Sequence, residues 1–283
     1  MRNTLITIFA FALSFFVFHN ITKGQDTVSF KTYYENGFAK YKAKDYTGAI
    51  IDFNKAIEKK SDFSNAYFYR GMSKRLDNKD NQGALADFDN AITYKNDNAD
   101  YYFSRAQTKY ELKDTIGALT DYSKAIELKP AYEKAYFERA RIKMGGKKFV
   151  DAINDFKLAI SNKADYHEAY NLRGKASLLD KDTVSALNDY NKSIELKPDF
   201  VPAYNNRAQL KYAQKDYESA KSDYSKVVEL KPADGTSYFN RAIVEIALKQ
   251  KDEACADFAK AKEFGHNKAE EMISKYCKEQ QPK

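Results

Sequence analysis

The chain has 283 residues, 31% of them charged, and a mean hydropathy of −0.71. That balance excludes a membrane-embedded body, and the 22 Tyr and 19 Phe exclude a disordered one, because so much aromatic surface offsets the entropy of ordering a chain. The formal net charge of +7 is modest for the length, and Lys recurs beside Asp and Glu as on a solvated face, which excludes the basic stripe of a nucleic-acid binder.

Arg2 gives a positive start, Leu5 to Phe18 is an almost unbroken apolar run, and polar residues with Gly24 follow. That order predicts a secretory signal peptide over 1–24, then a short mature N-terminal segment over 25–29. The run is shorter than the roughly 20 residues of a permanent membrane span, and no second such run follows, so no span is expected once the signal is cleaved. The head has no Cys for a lipid anchor. Without Arg2 and Lys23 the net charge is +5.

A pattern A-Y-x-x-R-[GA] follows, as Ala66-Tyr67…Arg70-Gly71, Ala135-Tyr136…Arg139-Ala140, Ala169-Tyr170…Arg173-Gly174 and Ala203-Tyr204…Arg207-Ala208. Looser copies hold Tyr102…Arg105 and Tyr238…Arg241, and one period before Arg70 stand Tyr33 and Gly37. Successive arginines are 35, 34, 34, 34 and 34 residues apart. A second pattern, A-[IL]-x-D-[FY]-x-x-A, trails each first one with Ala49, Ala84, Ala118, Ala152, Ala186, Ala220 and Ala254 as its Ala column. Its aromatic column is Phe53, Phe88, Tyr122, Phe156, Tyr190, Tyr224 and Phe258. Apolar and small residues recur at steps of three and four, which predicts helices, and Pro130, Pro198 and Pro232 stop the second helix of their copies. Each copy is therefore read as two antiparallel helices, and a lone hairpin cannot bury its own face, so the hairpins are expected to stack.

These columns resemble the tetratricopeptide repeat family, with Tyr where that family usually has Trp and Arg in a column usually Leu. The three Asp-Thr-Val/Ile triplets at 26–28, 114–116 and 182–184 resemble an O-glycosylation acceptor motif of exported proteins in Bacteroidetes-like bacteria. The resemblance implies an all-α fold: a right-handed α-solenoid of seven helix-turn-helix hairpins at 30–63, 64–98, 99–132, 133–166, 167–200, 201–234 and 235–268. A capping helix and tail over 269–283 would cover the last stacking face.

The arginines face an Asp column, Asp52, Asp87, Asp121, Asp155, Asp189, Asp223 and Asp257. Helix heights allow each Arg to meet the Asp of its own copy or of the one before. Asn36 stands where the first copy would have its Arg, and Lys275 falls opposite Asp257, so pairing between adjacent copies is the expectation. The ladder of Arg70, Arg105, Arg139, Arg173, Arg207 and Arg241 is read as structural; a binding row for an acidic ligand is the alternative.

Cys255 and Cys277 are level across the turn at Gly265-His266-Asn267, and in an exported chain a disulfide pinning the cap is expected; two separate buried thiols are the alternative. His19, His167 and His266 form no metal constellation with them, and no H-E-x-x-H or nucleophile elbow occurs. Gly145-Gly146-Lys147-Lys148 lacks phosphate-loop spacing, and Asn78 to Gly83 is a poor calcium loop. No enzyme, cofactor or metal is expected.

In the family the first helix of each hairpin lines the concave wall. By that resemblance the partner-binding candidates are Tyr34, Phe38 and Tyr41 in the first copy, Phe68 and Arg75 in the second, and Phe103, Gln107 and Tyr110 in the third. Phe137 and Arg141, Asn171 and Lys175, and Asn205 and Gln209 extend the set through copies four to six. Aromatics supply contact area at small entropic cost and amides read peptide backbone. The expected function is a non-catalytic scaffold of the periplasm or cell envelope that binds a peptide or partner protein. A glycan- or lipid-binding protein of the envelope, or a noncatalytic subunit of an envelope enzyme complex, is the alternative.

Overall fold

The computed structural model describes residues 28–77 and 79–277. The expected signal segment over 1–24 and the tail beyond Cys277 lie outside the described residues. Among the described residues there are only helices, each of 8 to 14 residues. They fall in two compact units, one ending at Asp114 and one beginning at Thr115.

The first unit holds α1 (Phe30–Lys42), α2 (Tyr46–Lys59), α3 (Ser64–Asp77), α4 (Asn81–Tyr94) and α5 (Ala99–Glu111). The second holds α6 (Thr115–Leu128), α7 (Glu133–Gly145), α8 (Phe149–Asn162), α9 (His167–Leu179) and α10 (Thr183–Leu196). It continues with α11 (Val201–Ala213), α12 (Tyr217–Leu230), α13 (Gly235–Ala247), α14 (Lys251–Glu263) and α15 (Ala269–Tyr276). Within each unit every helix packs on the next in sequence, and α1 also touches α3, α7 touches α9 and α9 touches α11. Each unit is thus a short α-solenoid.

The turns follow from two residues. Lys44, Lys79, Lys113, Lys147, Lys181, Lys215 and Lys249 have φ between 58° and 70°, the left-handed conformation that ends a helix and usually selects Gly. Behind α1 the Lys44 N–H donates to the Tyr41 carbonyl at 3.0 Å and the Asp45 N–H to the Lys40 carbonyl at 2.9 Å. These are the paired bonds that satisfy the last carbonyls of a helix. The second copy is one residue longer there, and the Asp80 N–H reaches the Lys74 carbonyl at 3.2 Å instead. The following Asp then caps the next helix: Asp45, Asp80, Asp182 and Asp216 accept from the backbone N–H of Gly48, Gly83, Ser185 and Ser219.

The core is the two small-and-aromatic columns. All seven alanines of the Ala column and all seven rings of the aromatic column are buried. Gly37, Gly71 and Gly174 let their helix come close: a Cβ on Gly174 would stand 2.9 Å from Tyr190 Cε1 and 3.1 Å from the Ala186 carbonyl. At the end, Met272, Ile273 and Tyr276 of α15 pack on Ala242, Ala254 and Phe258. Cys255 and Cys277 are placed there as a disulfide, with Cα atoms 5.6 Å apart.

Candidate binding surface

The Arg and Asp columns meet inside the hairpins. Arg70 donates from Nε and Nη2 to Asp87 at 3.0 and 2.5 Å, and Arg139 does the same to Asp155 at 2.9 and 2.7 Å. Arg173 pairs with Asp189, Arg207 with Asp223 and Arg241 with Asp257 in the same two-pronged way. The expectation of pairing between adjacent copies is corrected on this point. The reason is the fork of the guanidinium. Its Nε/Nη2 edge faces the partner helix of its own hairpin, and its Nη1 edge faces the preceding hairpin. There Nη1 finds a different acceptor, two residues beyond the previous Asp: Asn54 for Arg70, Asp89 for Arg105, Ser123 for Arg139, Asn191 for Arg207 and Ser225 for Arg241. Asp257 is taken by Arg241, and Lys275 lies over the Tyr276 ring instead. In the first copy Lys40 Nζ stands 2.7 Å from Asp52.

Each Arg also lies over the Tyr three residues before it, from Arg70 on Tyr67 at 5.3 Å to Arg241 on Tyr238 at 5.7 Å. In the second, fourth, fifth, sixth and seventh copies ring, guanidinium and buried carboxylate thus form one stack. These arginines are not open to an acidic ligand.

In the first unit the aromatic candidates form one cluster. Tyr34, Phe38 and Tyr41 run along α1 with successive ring centroids 6.1 and 6.5 Å apart. Tyr69 of α3 meets all three, at 6.1, 4.8 and 5.4 Å. Phe68 packs on Tyr101 of α5 at 4.9 Å. Burial, reinforced by Tyr69 and Tyr101, pushes the Tyr34 phenol up to about 12, so it stays neutral. Arg75 spans from α3 to α5, donating to Gln107 at 3.2 Å and to Glu111 at 3.1 Å. Tyr34, Phe38, Tyr41, Phe68 and Phe103 are half-buried, and Tyr110 is 45% exposed.

In the second unit Arg141, Lys175 and Gln209 are exposed at equivalent positions of α7, α9 and α11. Arg141 holds Glu138 of its own helix at 2.7 Å. Two candidates leave the exposed set. Phe137 is 9% exposed because Tyr166 stacks on it at 4.8 Å, and Asn171 is 4% exposed with its amide oxygen bonded to Asn206 at 2.8 Å. Asn205 is half-buried. Among the described residues, no group of three or more His, Cys, Asp or Glu is placed to hold a metal, and no helix is long and apolar enough to cross a membrane.

The family model described as the tetratricopeptide repeat matches residues 99–132 and 201–234. These two stretches are tetratricopeptide repeats. No curated protein matches the chain in sequence. Its fold is similar to a tetratricopeptide repeat protein from Parabacteroides merdae, at 21% identity and a TM-score of 0.63, covering 88% of this chain and 99% of that one. It is also similar to the C-terminal part of a repeat protein from Cytophaga hutchinsonii, at 20% identity and a TM-score of 0.72, covering 84% and 98%. A third neighbour is YrrB, described as a repeat protein with an unusual peptide-binding site, at 18% identity and a TM-score of 0.56, covering 66% and 97%.

The sequence reading missed three parts of the surface of this repeat protein. Tyr69 and Tyr101 join the aromatic cluster, Tyr69 without an aromatic counterpart in the other copies and Tyr101 in the column that elsewhere holds Ala66, Ala135, Ala169 and Ala203. The Nη1 acceptors at 54, 89, 123, 191 and 225 do recur, two places past each Asp, and that signal was there to be read. So were the lysines four places past the Arg. Lys74, Lys143 and Lys211 each stand within 2.7 to 3.1 Å of the Asp that the Arg holds.

Proposed function

We propose that this repeat protein is a non-catalytic interaction scaffold that binds a peptide or partner protein along the first helices of its hairpins. The observation that carries this is the aromatic cluster of the first unit, built from α1, α3 and α5. Its rings are packed edge and face against each other, yet Tyr34, Phe38, Tyr41, Phe68 and Tyr69 are only half-buried, so they offer pre-ordered apolar surface, and Tyr110 of α5 is exposed. Such surface binds without a large ordering cost. In the second unit the row of Arg141, Lys175 and Gln209 offers polar donors at a regular spacing, suited to a peptide chain.

The protein is proposed to act outside the cytoplasm, in the periplasm, envelope or beyond. The apolar head at 5–18 and the pairing of Cys255 with Cys277 support that reading, since such pairs persist in oxidising compartments.

The test is affinity capture from envelope extract, with the wild type beside Tyr110→Ala/Gln209→Ala and identification by mass spectrometry. The expected result is a reproducible protein partner that the double variant loses. Retention of envelope polysaccharide with no protein partner would replace this reading by the glycan-binding one.

A further inference from the structure

The lysine column is interrupted in two copies, by Glu245 in the seventh and by Ser177 in the fifth, and only Ser177 leaves that place without a charged group. In the first, second, fourth and sixth copies a lysine ammonium adds to the buried Asp: Lys40 at 2.7 Å, Lys74 at 2.8 Å, Lys143 at 2.7 Å and Lys211 at 3.1 Å. The fifth copy has Ser177 at that place, four residues past Arg173. The missing stem and ammonium leave a cleft of about 500 Å³, lined by Ser177, Asp180, Asp182 and Asp189 on one side and by Val150 and Ile153 of α8 on the other. The Asp189 side chain is 7% exposed, against 2% for Asp87 and 4% for Asp155 and Asp223, where a lysine covers the carboxylate.

Three features select the occupant. The cleft carries three carboxylates against two cations, Lys157 and Arg173, and Arg173 is committed to Asp189 at 2.6 and 2.8 Å. The balance favours a cation. Val150 is 59% exposed and, with Ile153, forms an apolar wall against which a methylene stem can lie. None of the lining residues is aromatic, so a quaternary ammonium finds no cage, whereas a primary ammonium finds carboxylate and hydroxyl acceptors.

We propose that this cleft receives a lysine side chain of a partner protein, whose ammonium takes on Asp189 the place that the chain's own lysines take in four other hairpins. The proposal rests on the reading that the protein binds a partner, and it locates a contact on residues of the second unit that are not part of the aromatic cluster. Lys157 is the one internal rival. It is exposed, pairs with no carboxylate, and stands where the neighbouring hairpins have Asn54, Ser123, Asn191 or Ser225.

The test uses the whole protein and two probes, the peptide acetyl-Gly-Lys-Gly-amide and its norleucine counterpart, followed by amide shifts in two-dimensional NMR. Saturable shifts at Ser177, Asp180 and Asp189 are expected with the lysine peptide only. Ser177→Lys restores the residue type that five of the other hairpins have, so it should fold, and it should weaken the peptide by roughly tenfold or more. Equal shifts with norleucine, or no effect of Ser177→Lys, would overturn the proposal. Lys157→Asn should leave the Asp189 carboxyl resonance where it was. A displaced resonance without peptide would assign the cleft to Lys157 and overturn it also. Because the peptides need no partner, failure here leaves the capture experiment intact, and failure there leaves this one readable.

Discussion

Arg139 donates to both oxygens of Asp155, at 2.9 and 2.7 Å, while its third nitrogen reaches back to Ser123 at 3.0 Å. One side chain thus closes its own hairpin and stitches it to the one before. The carboxylate is almost wholly buried, so removing the Arg leaves a charge that water cannot reach. The same substitution should cost different amounts in different hairpins. Arg173→Leu leaves Asp189 without any cation and should cost about 3–5 kcal/mol. Arg139→Leu leaves Lys143 at 2.7 Å from Asp155 and should cost about half as much. Urea denaturation of the two variants decides it; equal losses would mean the lysines contribute nothing.

The periodic part of this structure was legible in the sequence because burial itself is periodic. Ala49, Phe53 and Ala56 recur every 34 residues or so, and each recurrence is buried for the same reason. The choice of partner for each Arg was not legible, because the Asp of its own hairpin and that of the preceding one lie at equal helical height. Only the fork of the guanidinium separates them, and it serves both hairpins with different atoms. Exposure was misread at Phe137 and Asn171 for a related reason. Their column faces outward on the helix, but what covers it comes from beyond that helix: Tyr166, at the end of the same copy, in one case and Asn206 of the next hairpin in the other. Periodicity gives the face, and the neighbour decides whether the face is open.

The turn lysines offer a direct gain in stability. Lys181 holds φ at 70°, where its Cβ crowds the backbone. Lys181→Gly removes that strain, partly offset by the greater freedom of Gly in the unfolded chain, and should stabilise by about 0.5–1 kcal/mol. Thermal melts would check it. A loss would show that the lysine stem contributes more by packing than its backbone costs.

The C-terminal helix depends on the bond between Cys255 and Cys277. Their sequence separation is 22, so the constraint on the unfolded chain should contribute about 3 kcal/mol. Cys277→Ser should free α15 first, since it has eight residues and packs on α14 through Met272, Ile273 and Tyr276. Hydrogen exchange is expected to rise over 269–276 and to stay unchanged in α7 to α10. A uniform rise across the second unit would mean that the cap is cooperative with the whole stack.

Glu245 gives the stack a pH dependence. It stands where most hairpins have Lys, is buried, and has Lys221 Nζ 3.2 Å and Arg241 Nε 3.9 Å from Oε1, while Oε2 has no partner. Burial raises its carboxyl above the ordinary value of 4.5, the charge of Asp257 adds to the rise, and Lys221 and Arg241 oppose it. An acid raised on folding holds its proton in the folded state after the unfolded chain has lost it. Its contribution is therefore full below pH 4.5 and declines as pH rises through the folded value, because the native state must then carry a poorly solvated charge. Glu245→Gln keeps the shape and removes the charge. The variant should match the wild type near pH 4 and exceed it in denaturation midpoint at pH 7. A variant less stable than wild type at pH 7 would show that the pairing with Lys221 outweighs burial, and that Glu245 is held as an ion within the seam.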